Sequence, residues 1–125
     1  MAKLGSVEWW KAHAKLLNAN ETYRKYAKGL TTVFEYNVGD MRTIARYENG
    51  EIVDVHAPAK GEEGIMIIAA PREIWANLAS GRLDPKAALM GGKLRFRKGN
   101  MASLARYMAA AGAIFAAMAK IPTDD

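Results

Sequence analysis

The chain has no cysteine among its 125 residues. Without thiols there is no disulfide framework, no thiolate zinc site and no cysteine nucleophile. That composition suits a reducing compartment, and a cytoplasmic location is expected. Histidine is scarce as well, with only His13 and His56. Two imidazoles far apart in sequence argue against a metal site, so neither a metal nor a cofactor is expected. No Gly-x-Ser-x-Gly elbow is present, which removes the usual setting of a hydrolytic serine. Gly91-Gly92-Lys93 lacks the Ser/Thr and the following helix of a phosphate-cradling loop, and reads instead as a helix stop and turn. Long apolar runs are missing too. The most apolar stretch, Met108 to Met118, falls well short of the ~20 residues that a membrane-spanning helix requires. Met1 to Ser6 carries no apolar segment of a secretory signal.

Half of the residues are hydrophobic and a quarter are charged, the balance of an ordinary globular protein. The length suits one domain, 1–125, with a real core. The formal charge of +5 favours anionic partners. Much of the excess gathers at Lys93, Arg95, Arg97 and Lys98. This stripe reads first as a solvated strand face, and no nucleic-acid partner is expected. The functional alternative is a basic rim that docks transiently on an anionic membrane surface or holds the charged head of a ligand.

Local patterns give the element order. Ser6 caps a first helix carrying Trp9, Trp10, His13, Ala14 and Leu17 at helical spacing, and Asn20 caps a second, Glu21 to Lys28, stopped by Gly29. The period then changes to two. Thr32, Phe34, Tyr36 and Val38 alternate with Glu35 and Asn37; Met41, Thr43, Ala45 and Tyr47 alternate with Arg42 and Arg46. Asn49-Gly50 is a strong hairpin signal, with Glu51 to Ala57 as the return strand. Gly64 to Ala70 is apolar on both faces and reads as a central strand. Pro71 and Asp84-Pro85 open two short helices, Lys93 to Lys98 is a fifth strand, and Asn100 caps one long final helix ending at Ile121-Pro122. Thr123-Asp124-Asp125 is expected to fray. The tight turns call for a mainly antiparallel sheet, and the helical crossover before the fifth strand permits one parallel pairing there.

The segment from Ile65 to Leu104 carries a recognisable order: a buried strand, a helix with Trp75, Leu78 and Gly81, then Pro85 and Ala88, Gly92-Lys93-Leu94, a short strand, and Gly99-Asn100 opening a helix. Together with Val33 to Ala57, this resembles the sterol carrier protein 2 family. The resemblance implies an α+β fold: a five-stranded mixed, largely antiparallel sheet with helices on one face and a hydrophobic tunnel between the layers. It implies binding or carriage of an apolar ligand, such as a fatty acyl chain, an acyl-CoA, a sterol-like molecule or another lipid; it does not imply catalysis, and no enzyme is expected. The chain departs from the family pattern in two places: Asn100 stands where an aspartate is usual, and the strand Lys93 to Lys98 is unusually basic.

The residues expected to line such a tunnel are Phe34, Tyr36, Met66, Ile68, Trp75, Leu78, Leu89, Leu104, Met108, Phe115 and Met118. The same residues could simply fill a core. Seven methionines favour an adaptable surface. The small residues from Ala109 to Ala117 leave room for a ligand, or for a second helix across a homodimer. Asp54 and His56 share one face of a strand and are a candidate acid–base pair for a small enzyme, although no catalytic residue is expected. A further alternative is an accessory domain of lipid or aromatic metabolism that binds a partner enzyme.

Overall fold

The computed structural model describes residues 1–124. After a short strand β1 (Ala2–Lys3), helices α1 (Val7–Asn18) and α2 (Glu21–Tyr26) precede strands β2 (Thr32–Val38), β3 (Met41–Glu48), β4 (Glu51–His56) and β5 (Met66–Ala70). Helices α3 (Arg72–Ala79) and α4 (Pro85–Met90), strand β6 (Arg95–Lys98), helices α5 (Met101–Ala109) and α6 (Ala111–Met118), and a final strand β7 (Thr123–Asp124) follow. The expected caps form: Ser6, Asn20, Asp84 and Asn100 each accept, through the side chain, an amide hydrogen three residues ahead, satisfying donors that a helix start leaves free.

The main sheet has the order β4-β3-β2-β5-β6. It is mixed and largely antiparallel. The single parallel pair, however, is β2 with β5, aligning Phe34 with Met66 and Tyr36 with Ile68. The fifth strand, β6, runs antiparallel to β5. The crossover, which permits a parallel pairing, instead brings β6 back in the opposite sense. Asn49 and Gly50 both have positive φ, 49° and 87°, which is the two-residue turn that matches strand twist. This hairpin tip docks on α2. The Tyr23 hydroxyl donates to the Gly50 carbonyl at 2.6 Å, and the Gly29 amide donates to Asn49 Oδ1 at 2.7 Å.

Two expectations are corrected. The final helix is not continuous: α5 and α6 meet at Ala110 with a bend of 62°. No proline lies at the break. Ala110 both ends α5 and starts α6, with φ −96° and ψ 3°. The bend keeps both halves on the core, since α5 buries Leu104 and Tyr107 while α6 buries Ile114, Phe115 and Met118. A straight helix would carry one of these sets into solvent. The second correction concerns the tail. Thr123 and Asp124 pair in parallel with Ala2 and Lys3, and Trp9 Nε1 donates to the Thr123 hydroxyl at 3.0 Å. The last residue of that tail, Asp125, lies outside the described residues. No single helix is long and apolar enough to cross a membrane among the described residues.

The layer between sheet and helices is packed with rings. Trp10 stacks on Tyr36 at 4.0 Å between centroids, Trp75 meets both edge-on, and Phe34 lies 4.5 Å from Tyr107. The Tyr36 hydroxyl sits in the middle of a buried chain, 2.6 Å from that of Tyr47 and 3.2 Å from that of Tyr107. Burial pushes all three phenols up, so they stay neutral.

Candidate functional site

The apolar layer reaches the surface where α3 and the turn into α4 face the α5–α6 bend. There a groove of about 530 Å³ is lined by Leu78, Leu83 and Pro85 on one side and by Met108, Ala111, Gly112, Phe115 and Ala116 on the other. Its width follows from the sequence: Gly112 and Ala116 project almost nothing into it, whereas Met108 and Phe115 supply flexible and flat apolar walls. Gly112 falls in the first turn of α6 rather than in mid-helix. Phe115 joins the groove to the layer behind it, because its ring stacks on Trp75 with centroids 6.4 Å apart.

Of the residues expected at a ligand site, Leu78, Met108 and Phe115 come together at this groove. Phe34, Tyr36, Met66, Ile68 and Trp75 lie behind it, fully buried in the aromatic layer. Leu104 is buried on α5 and Leu89 half-buried on α4, and neither lines the groove. Met118 belongs to a smaller groove of about 290 Å³ with Leu4, Ala76 and Ile121. Sequence reasoning missed Tyr107, which takes the most buried position of α5. Helical spacing from Leu104 admits either Tyr107 or Met108, and the Tyr36 hydroxyl, 3.2 Å away, is what accommodates the Tyr107 hydroxyl in the core.

The two histidines have separate roles. His13 is buried, and its Nε2–H donates to the Ile114 carbonyl at 2.8 Å, tying α1 to α6. Burial lowers its pKa to about 4, so the ring is neutral near pH 7. His56 does pair with Asp54, Nδ1 to Oδ2 at 2.6 Å, but Glu62 engages Nε2 at 2.9 Å from the other side. Glu62, first, and then Asp54 raise its pKa. Both ring nitrogens thus face carboxylates, which only accept hydrogen bonds when ionised. The contact with Glu62 ties β4 to the Pro58–Gly64 loop, which Arg42 also holds by donating to the Glu62 carbonyl at 2.8 Å.

Arg42 also forks onto Glu35 at 2.8 and 3.0 Å, and the Gly64 amide adds a third hydrogen bond to that carboxylate. Hydrogen bonding by Arg42 holds the Glu35 carboxyl below its usual pKa and so keeps it ionised although it is buried. Groups of three or more metal-ligating side chains are absent among the described residues.

Comparison with known proteins places this geometry. A comparison with curated proteins returns no match. Among solved structures, a sterol carrier protein 2 superposes with a TM-score of 0.83 at 28% identity, over 95% of this chain and 99% of that one. A conserved hypothetical protein from Thermus thermophilus, provisionally described as a sterol carrier protein, gives 0.80 at 26% identity, over 99% and 93%. The sterol carrier protein domain 2 of Helicoverpa armigera, at 17% identity and a TM-score of 0.59 over 86% and 85%, shares the fold. The model of the SCP-2 sterol transfer family matches residues 13–112, and with that match the chain belongs to this family.

Proposed function

We propose that the protein carries an apolar ligand, whether acyl chain, acyl-CoA, sterol-like or another lipid, and that the ligand enters at the groove between α3–α4 and α5–α6. The observation that carries this reading is the stack of Phe115 on Trp75 at the groove floor. Leu78, Met108 and Phe115 would meet the ligand first. A turn of the Phe115 ring would extend the groove toward Trp75, Met66 and Phe34. Burial of ligand surface at about 25 cal/mol per Å² supplies the affinity. The protein would act as a carrier and not as a catalyst, consistent with the bracketing of His56 by two carboxylates.

The test is displacement of a fluorescent fatty acid from the purified protein, together with extraction and mass analysis of any co-purified lipid. Phe115→Glu places a charge on the groove floor and is expected to weaken binding at least tenfold while the far-ultraviolet dichroism stays native. Equal affinity in a folded Phe115→Glu protein would remove the groove from the reading.

A further inference from the structure

A second groove, of about 900 Å³, opens where the parallel strands β2 and β5 end and α3 begins. Its character is opposite to that of the apolar groove. Arg42, Lys93, Arg95 and Arg97 line it, against one carboxylate, Asp40. Arg42 is occupied by Glu35, but Lys93, Arg95 and Arg97 form no ion pair among the described residues. Sheet register places Arg42 and Arg95 in one cross-strand row: Arg42 faces Asn37, Asn37 faces Ala69, and Ala69 faces Arg95. The bulge between Ile67 and Ile68 accommodates Arg97 on the same edge strand.

Two further observations indicate what the groove holds. The N-cap of α3 is Pro71, which offers no side-chain acceptor, and Pro71 and Ile74 form part of the groove wall. The start of α3 thus has no side-chain cap and borders the same groove as the cations, and the positive end of a helix adds to a potential that favours an anion. Asn37 also lines the groove, is only 8% exposed, and its Oδ1 has no hydrogen-bond partner. A buried acceptor without a donor is costly; the oxygens of a phosphate dianion cannot donate to it, whereas a hydroxyl carried by the same ligand can.

We infer that this groove is a binding site for a phosphate monoester that also bears a hydroxyl group: the phosphate between Arg95, Arg97 and the start of α3, the hydroxyl donating to Asn37 Oδ1. The chemistry is shared by a soluble sugar or polyol phosphate and by a phosphorylated lipid head.

The experiment is calorimetric titration of the full chain in mildly alkaline, low-salt buffer with glycerol 3-phosphate and with methyl phosphate, beside co-sedimentation with phosphatidylcholine vesicles with and without lysophosphatidic acid, whose head keeps a free hydroxyl beside its phosphate. Saturable binding of glycerol 3-phosphate in preference to methyl phosphate is expected. Arg95→Ala with Arg97→Ala, both exposed, should weaken it roughly tenfold or more. Asn37→Leu should leave methyl phosphate unchanged and abolish the preference. Soluble binding identifies a free phosphate ester as the source, and recruitment only to lysophosphatidic acid vesicles identifies a lipid head; either supports the site. Absence of saturable binding in both arms, or binding untouched by the double arginine variant, overturns it. An Asn37→Leu protein that keeps its preference overturns the hydroxyl contact. None of these readouts depends on the apolar groove.

Discussion

Acid should loosen this fold through one buried ring. His13 holds α6 against α1 through the Ile114 carbonyl, and a carbonyl accepts only from a protonated nitrogen, so the neutral Nε2–H tautomer is the one the fold contains. Its pKa falls from the ordinary 6.5 to about 4 in the folded state, because burial penalises the charged ring more than the backbone hydrogen bond favours it. Between those values the unfolded chain binds a proton that the folded chain refuses. Stability linked to His13 is therefore complete above pH 6.5 and drains away as the pH falls toward 4. A displacement of this size corresponds to about 3 kcal/mol, a large share of a typical domain's ~5–15 kcal/mol. The assay is urea unfolding followed by tryptophan fluorescence at a series of pH values, since Trp9, Trp10 and Trp75 are all buried. His13→Gln keeps a donor and cannot titrate. The wild-type minus variant difference cancels the contributions of Glu35, Glu62 and His56, which both proteins share. It is expected to shrink by about 3 kcal/mol across the window. Parallel pH profiles in the two proteins would refute the reasoning.

Other perturbations test other parts of the structure. Tyr36→Phe removes the central hydroxyl of the buried chain and strands those of Tyr47 and Tyr107; a loss of about 2 kcal/mol in chemical unfolding is expected, and replacing all three tyrosines by phenylalanine should recover part of it. Gly50→Ala puts a Cβ 2.8 Å from the Ala27 carbonyl at a φ of 87°. The strained backbone alone costs about 1–2 kcal/mol, so the melting temperature should fall clearly, whereas the same change at Gly39, where nothing lies within 4 Å, should cost only the backbone part. Glu62→Gln removes one carboxylate from His56, and its imidazole titration, followed by NMR, should move to lower pH, the direction opposite to the shift that Glu62 imposes.

Much of the fold was legible because the determinants are local. Alternation in Thr32 to Val38 and Met41 to Tyr47 identified which residues face the core, and Asn49-Gly50 fixed the hairpin, since few residue pairs accept positive φ twice in succession. What escaped depends on contacts between distant segments. Nothing near Ala110 signals a bend; it arises because α1 and α3 offer α6 a surface in a direction that α5 does not follow. Thr123 and Asp124 carry no strand pattern, and their order depends on Ala2, Lys3 and Trp9 at the other end of the chain. Asp54 and His56 were readable as neighbours, while Glu62, which converts the pair into a clasp, stands on a loop with no periodicity. The apolar groove was half-legible: Leu78, Met108 and Phe115 follow from helical spacing, but Leu89, Leu104 and Met118 share that spacing and lie elsewhere.

The placement of β2 has a consequence during synthesis. Its partner β3 follows it immediately, but β5 arrives only after the whole β3–β4 hairpin and the next loop have been made. Until then, one side of β2 is an open row of amides and carbonyls, with Phe34 and Tyr36 on its sticky face, and such an edge is a template for pairing between nascent chains. Glu35 and Asn37 occupy the other face of that strand. In the finished protein one is held by Arg42 and the other borders a groove; in the unfinished one they are the charge and the amide that make mispairing costly. Glu35→Val is therefore expected to appear as insoluble product on expression, to a degree that the stability of the refolded protein does not account for.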